Sequence, residues 1–325
     1  MTKTILVTGA AGFIGSHLAE ALLLKGHRVV GIDNFDPFYH KSIKEGNLKT
    51  ALANPNFSFI AGDANDRGVL DGIDEKIDVV VHLAAKAGVL PSLRDPKAYI
   101  KVNIELTNTI LEWMKDRKMN KLVFASSSSV YGNAAKIPFG EDDIVNEPIS
   151  PYAFTKRSCE LMNYAYHSLY HIDIVNLRFF TVYGERQRPD LAIHKFVRNI
   201  INGEPITLYG DGSTARDYTY FADTVQGISA AIHYISERDG VWETFNLGNH
   251  KPVTLLALIK TIEEVSGVKP VLKFEEMKPG DVNITYASVE KAGDLLGYRP
   301  SVSLKTGLTN FIEWFRAQEA ALTNQ

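Results

Sequence analysis

Short apolar runs alternate along the first half of the chain with stretches whose apolar residues return at helical spacing. Ile5-Leu6-Val7 is a strand-length run, and Leu18, Ala19, Leu22 and Leu23 follow it on one helix face. Further strand patterns occur at Arg28 to Ile32, Phe57 to Ile60, Asp78 to His82 and Lys121 to Ala125. Strands alternating with helices through short connections predict an α/β fold with a doubly wound parallel sheet. Pro96 through Met114 reads as one long amphipathic helix. Its extra apolar positions, Ile110, Leu111, Trp113 and Met114, suit a subunit partner as well as the sheet. Ser150-Pro151 opens another helix, with proline in the first turn. From Thr181 onward loops increase and parallel-strand signals thin out.

Composition narrows the class. At 325 residues the chain has room for one large α/β domain or two smaller ones. A net charge of -3 gives no reason to expect a nucleic-acid or anionic-membrane partner. No apolar run reaches the roughly 18 residues of a bilayer span, and the N-terminus lacks the shape of a signal peptide. The single cysteine, Cys159, reads as a small packing residue and fits a reducing compartment, so a cytoplasmic protein is expected.

The first chemistry lies between the first strand and helix, in Gly9-Ala10-Ala11-Gly12-Phe13-Ile14-Gly15. A glycine loop there lets backbone N–H groups approach a pyrophosphate at the helix N-terminus. Asp33 ends the next strand about twenty residues on, where a carboxylate bonds an adenosine ribose diol. No arginine follows in Asn34-Phe35-Asp36, so NAD is favoured over NADP. Asp63-Ala64 after the third strand can reach the adenine edge, and Leu83-Ala84-Ala85 leaves small residues where a cofactor passes close by. His82 reads as a packed, hydrogen-bonded residue. No metal is expected.

Tyr152 and Lys156, at i and i+4, fall on one helix face. An ammonium there can lower the phenol's pKa from about 10 and make a base that works near neutrality. The run Ser126 to Ser129 closes the strand at Lys121–Ala125, on the side where ligands bind open α/β sheets. One serine hydroxyl beside the phenol completes a proton relay for alcohol–ketone chemistry.

These motifs, in this order, resemble the extended short-chain dehydrogenase/reductase family, and within it the nucleotide-sugar 4-epimerases. The resemblance spans essentially the whole chain. It is carried by Thr8–Gly15, Asp33–Phe35, His82–Ala85, Ser126–Gly132 and Tyr152–Lys156. It implies a Rossmann-type sheet over residues 1–180 with a returning segment at about 217–248. A smaller mixed α/β domain, 181–216 and 249–325, would bind a nucleotide sugar. It further implies Tyr152 as base, Lys156 on the nicotinamide ribose and Ser127 as the catalytic hydroxyl. Asn103, Lys86 and Phe179 would lie near the cofactor, and Ser128 and Ser129 would support the sugar or the loop. Arg216, of Arg216-Asp217-Tyr218, matches an arginine that pairs with the substrate pyrophosphate. Tyr209 falls in Leu208–Gly212, a stretch that resembles the family's loop beside the nucleotide base. Lys278 and Asp281 stand in a segment similar to the family's R-P-G-D, with lysine replacing arginine. A homodimer through the helices Pro96–Met114 and Pro151–Tyr170 is the family expectation.

Arg178-Phe179-Phe180-Thr181-Val182-Tyr183-Gly184, followed by Arg188-Pro189-Asp190-Leu191-Ala192, resembles UDP-glucuronate 4-epimerases in particular. Epimerases for neutral hexoses usually carry asparagine at the position of Thr181, so Thr181 and Arg188 are expected to cradle a C6 carboxylate. Leu90 stands where many such relatives carry arginine. The expected reaction is NAD-dependent 4-epimerisation of UDP-glucuronate to UDP-galacturonate through a 4-keto sugar. The nearest alternative is a UDP-glucose or UDP-N-acetylglucosamine 4-epimerase. A 4,6-dehydratase would need Asp and Glu in place of Ser128 and Ser129. A non-catalytic NAD-binding regulator typically loses the tyrosine or lysine that this chain keeps.

Overall fold

The computed structural model describes residues 2–134, 136–276 and 283–323, with side chains to Ala320. Strand β1 (Thr4–Thr8) leads through the glycine loop into helix α1 (Phe13–Leu24). Then come β2 (Arg28–Asp33), α2 (Lys41–Leu52), β3 (Phe57–Ala61), α3 (Arg67–Asp71) and β4 (Val79–His82). Short helices α4 (Val89–Arg94) and α5 (Pro96–Tyr99) run into a π-helical turn, Ile100–Glu105, and then α6 (Leu106–Asp116). Strand β5 (Lys121–Ser127), a 3₁₀ turn over Ser128–Tyr131, α7 (Pro151–Tyr170) and β6 (Asp173–Phe179) follow.

After β6 the chain builds β7 (Thr181–Tyr183), α8 (Ala192–Ile201), β8 (Ile206–Tyr209) and β9 (Ala215–Tyr220). Helix α9 (Phe221–Ser236) then packs on α1, and β10 (Trp242–Leu247) pairs with β6. The chain ends with β11 (Pro252–Thr254), α10 (Leu255–Ser266), β12 (Leu272–Glu275), α11 (Glu290–Leu296) and α12 (Leu304–Thr323).

Seven parallel strands in the order β10-β6-β5-β4-β1-β2-β3 form the main sheet, as the alternating pattern predicts. Its central strands are apolar on both faces, since helices cover both. Val7, Val81, Val123 and Val175 pack toward α1 and α9, while Leu6, Val80, Leu122 and Ile174 pack toward α6 and α7. A three-stranded sheet, β11-β9-β7, and a two-stranded one, β12-β8, belong to a separate core around Tyr183, Val197, Leu258 and Phe311. Among the described residues no helix is long and apolar enough to cross a membrane.

Two expectations change. The helix foreseen over Pro96–Met114 is interrupted at Ile100–Glu105, where one extra residue per turn re-aims the side chains. Periodicity over so short a stretch does not register that insertion. Ile110, Leu111, Trp113 and Met114 are fully buried against the sheet within one chain, so the sheet claims them and no subunit partner is needed to cover them.

Candidate active site

The order β3-β2-β1-β4 reverses direction between β1 and β4, and a cavity of about 360 Å³ opens at the carboxyl ends of these strands. That volume is within the range of small-molecule sites, and its place is the switch point where open α/β sheets bind ligands. Gly9 has φ +73°, and a Cβ on it would lie 3.0 Å from the Ala84 backbone. A Cβ on Gly15 would come within 2.1 Å of the Gly9 carbonyl. The loop therefore folds this tightly only with glycine at both positions. Gly12 caps α1 without a side-chain bond, which leaves the first-turn N–H groups facing the cavity.

Asp33 lies at the end of β2, 8% exposed, accepting from Ala11 N–H at 3.1 Å and Phe35 N–H at 2.8 Å. Asn34 donates to Asp63 at 3.4 Å, and Ala64 lines the cavity beside them. Thr8 Oγ1 accepts from Ala84 N–H at 3.1 Å and meets His82 Nδ1 at 2.7 Å, which brings Leu83, Ala84 and Ala85 along the floor. His82 is a packed residue as foreseen, its other nitrogen facing Thr107 at 3.2 Å. Burial and the Lys156 charge push its pKa down to about 3. The stripped glycine turn, the uncapped helix and the buried carboxylate together fit the pyrophosphate and ribose of a dinucleotide.

Ser150 Oγ caps α7, accepting from Ala153 N–H at 3.1 Å, and Pro151 takes the first turn. This aims Tyr152 into the cleft, where its ring meets Tyr99 edge-on at 6.1 Å. Burial raises the phenol's pKa, while a hydrogen bond from Ser127 and the Arg188 charge oppose the rise. Lys156 was expected to act on this phenol. Instead its Nζ, 4% exposed, donates to the Ala125 carbonyl at 2.7 Å and lies 5.0 Å from the Phe124 ring. Burial lowers its pKa to about 8. The Arg188 guanidinium is the charge that favours the Tyr152 phenolate.

Ser127 Oγ accepts from the Ser129 hydroxyl at 2.9 Å and the Ser129 N–H at 3.2 Å. With both lone pairs engaged, its own proton is directed to Tyr152. Ser129 is thus a positioning residue, where the sequence allowed only a general supporting role. Ser126 turns the other way and donates to Glu160 at 2.6 Å. Glu160 receives Arg178 through Nε at 2.9 Å and Nη2 at 3.0 Å, and Arg178 also donates to Tyr131 at 2.9 Å. This buried network, absent from the sequence reading, fixes α7 to β5 and β6.

Asn103 is 2% exposed and lies behind the cleft wall. It accepts from Lys86 N–H at 2.8 Å and donates to the Lys86 carbonyl at 3.0 Å and Thr155 at 2.9 Å. It therefore braces the loop at Lys86 against α7. Lys86 and Phe179 line the cavity, with Lys86 paired to Asp36 at 3.1 Å.

Arg188 lines the same cavity, 4.9 Å from the Phe38 ring. Its loop is tied to α1 by Arg186, which donates to Glu20 at 2.9 Å. Thr181 pairs with Tyr218 in the small sheet, and neither it nor Ser128 is among the residues lining the cavity. Tyr209 and Arg216 also lie away from it, on β8 and β9. Asp217 turns inward to accept from the N–H groups of Asn249, His250 and Ala287 at 2.6, 3.0 and 3.1 Å. Lys278 and Asp281 lie outside the described residues.

Comparison with known proteins places this geometry in a family. The model of the NAD dependent epimerase/dehydratase family matches residues 5–248. An uncharacterized protein of Methanocaldococcus jannaschii is 47% identical over 317 residues, 96% of each chain. The solved UDP-glucuronic acid 4-epimerase of Bacillus cereus, in complex with UDP-glucuronic acid and NAD, is 39% identical. It superposes with a TM-score of 0.91 over 97% of this chain and 99% of that one. The UDP-glucose 4-epimerase of Thermotoga maritima, solved with UDP-glucose, is 33% identical, with a TM-score of 0.87 over 97% and 99%. The chain belongs to the NAD-dependent epimerase/dehydratase family.

Proposed function

We propose that this family member is an NAD-dependent UDP-glucuronate 4-epimerase, producing UDP-galacturonate. One observation carries the reading: the Tyr152 phenol, the Ser127 hydroxyl and the Arg188 guanidinium share one cleft with the glycine cradle. The similarity to an epimerase solved with UDP-glucuronic acid and NAD supports it.

The first turn of α1, from Gly12 to Gly15, would hold the pyrophosphate. Asp33 would hold the adenosine ribose, with Asn34, Asp63 and Ala64 at the adenine. Leu83 to Lys86, Tyr152, Lys156 and Phe179 would hold the nicotinamide end. NAD supplies, when bound, a hydride acceptor and donor for the sugar carbon.

Tyr152 takes the proton from the sugar C4 hydroxyl, directly or through Ser127, and gives it back to the C4 oxygen once the 4-keto sugar has turned its opposite face toward the hydride donor. Arg188 lowers the cost of the phenolate. A 4-keto uronate is a β-keto acid and loses CO₂ when its C5–carboxyl bond aligns with the carbonyl π system. Arg188 restrains the carboxylate out of that alignment, and Thr181, set between the cavity-lining residues Phe180 and Val182, is the second candidate for that hold. Arg216, Tyr209, Ser128, Lys278 and Asp281 remain the candidates for the rest of the nucleotide sugar.

A neutral UDP-hexose epimerase is the second reading, favoured by the hold that Asp190 keeps on Arg188. Turnover of UDP-glucuronate, UDP-glucose and UDP-N-acetylglucosamine, each with and without added NAD, separates the two. Faster conversion of either neutral sugar would overturn the uronate assignment.

We place the protein in the cytoplasm, as a homodimer. Phe154, Leu161 and Tyr164 form an exposed apolar stripe on α7, and Ile100 is exposed on the neighbouring π-turn. Light scattering that gives a monomer mass would remove the dimer.

A further inference from the structure

Helix α2 is polar along most of its length, and its buried positions are Lys44, Asn47, Leu48 and Ala51, one face at i, i+3, i+4 and i+7. Leu48 and Ala51 are packed in the interior. Asn47 donates to the Ala11 carbonyl at 3.0 Å and props the glycine loop. Lys44 has no comparable explanation. It is 6% exposed, in the cavity wall with Asp33, Asn34 and Tyr39. Burying an ammonium costs several kcal/mol unless its three donors are met.

Here they are not met by the chain. Among the described residues its neighbours are Asp33 Oδ1 at 3.6 Å, beyond hydrogen-bond distance, and the Tyr39 ring centroid at 4.9 Å. Asp33 is already committed to the N–H groups of Ala11 and Phe35. A cation in the cavity wall, with donors that the chain leaves unmet, is matched by a ligand bearing acceptor oxygens.

We infer that Lys44 is a second ligand of the adenosine ribose, donating to a hydroxyl oxygen while Asp33 accepts from the diol. This rests on the reading of the cleft as an NAD site. It also revises the basis for cofactor choice. The short stretch after Asp33 lacks a cation, but α2 delivers one from eleven positions downstream. Lys44 therefore offsets part of the repulsion that Asp33 exerts on a 2′-phosphate, and NADP is rejected less strictly than a lone carboxylate would require.

The test is equilibrium binding to protein stripped of nucleotide, using NAD, ADP-ribose, NADP and nicotinamide mononucleotide. In K44M the Kd for NAD and for ADP-ribose should rise about tenfold, the effect of losing one charge-assisted hydrogen bond. The Kd for NADP should rise further, and that for nicotinamide mononucleotide should stay unchanged. K44R should recover most of the NAD affinity. Wild-type affinity of K44M for ADP-ribose, or an equal loss for nicotinamide mononucleotide, would overturn the assignment. Absence of NAD binding by the wild-type protein would instead overturn the reading of the cleft. Should K44M fail to fold, K44Q, which keeps a donor but loses the charge, is expected to weaken NADP about tenfold. Unchanged NADP affinity in K44Q would overturn the inference equally.

Discussion

Arg188 holds Asp190 with one edge of its guanidinium, Nε to Oδ1 at 2.9 Å and Nη2 to Oδ2 at 2.8 Å, while Nη2 also reaches the Ala87 carbonyl at 3.3 Å. A bidentate fork is the strongest way for arginine to hold a carboxylate, and here an internal carboxylate occupies it. A uronate must take the remaining Nη1 edge or displace Asp190. Asp190→Asn should therefore lower the KM for UDP-glucuronate severalfold and leave UDP-glucose nearly unchanged. Arg188→Ala should raise the UDP-glucuronate KM at least about tenfold and release pentose product. Steady-state kinetics on both sugars check this. A raised uronate KM in Asp190→Asn would show that Asp190 holds Arg188 in its working position.

Ser127, proposed as a proton path to Tyr152, accepts hydrogen bonds from the Ser129 hydroxyl and N–H, which orient its own proton. Ser127→Ala should reduce kcat by about 10²–10³, in the range of lost general acid–base assistance. The acidic arm of the pH–rate profile should also move upward, because the phenol loses a donor that favours its ionised form. Ser129→Ala should cost about tenfold in kcat with little change in KM, since Ser127 keeps its place but loses its orientation. An unshifted pH profile in Ser127→Ala would separate this hydroxyl from the phenol.

The Glu160–Arg178 pair is almost wholly buried, with side chains 2% and 4% exposed. Glu160→Gln leaves a dry guanidinium facing a neutral amide and should cost about 3–5 kcal/mol of stability. Urea unfolding at neutral pH measures it. A loss under about 1 kcal/mol would mean the network contributes little to holding α7 on the sheet.

Acid should destabilise the fold through its buried histidines. His17 and His194 are held down to about 4 and His82 to about 3, each chiefly by burial, against an ordinary value of 6.5. Each folded pKa lies below the unfolded one, so on acidification the unfolded chain takes up protons that the folded chain refuses. The contribution is intact above pH 6.5 and declines as pH falls toward 4, by up to about 4 kcal/mol per pH unit for three protons. Glu141 and Asp217, whose carboxyls burial pushes up, act in the opposite direction. Urea midpoints from pH 7 to pH 4.5 should fall steeply, and His82→Asn should flatten the slope by about one proton's share.

The sequence by itself determined the parallel sheet, the glycine turn, Asp33 at the end of β2, and Tyr152 with Ser127 at the cleft. Each is written in neighbouring residues: strand runs of β-branched side chains, glycines where a Cβ collides, a capped helix start aiming one phenol. Tertiary structure alone decided the rest. Lys156 turns to the Ala125 carbonyl because the end of β5 happens to lie there, and Arg188 arrives at Tyr152 from beyond β7. Asn103 became a brace once the π-turn brought it against Lys86 and Thr155. Lys44 reads as one more polar residue on an amphipathic helix, and only the packing of α2 on α1 and β3 makes it a buried cation facing Asp33. Periodicity tells which face of an element is buried. What that face meets depends on contacts between segments far apart in the chain, and the electrostatics of this cleft are made of such contacts.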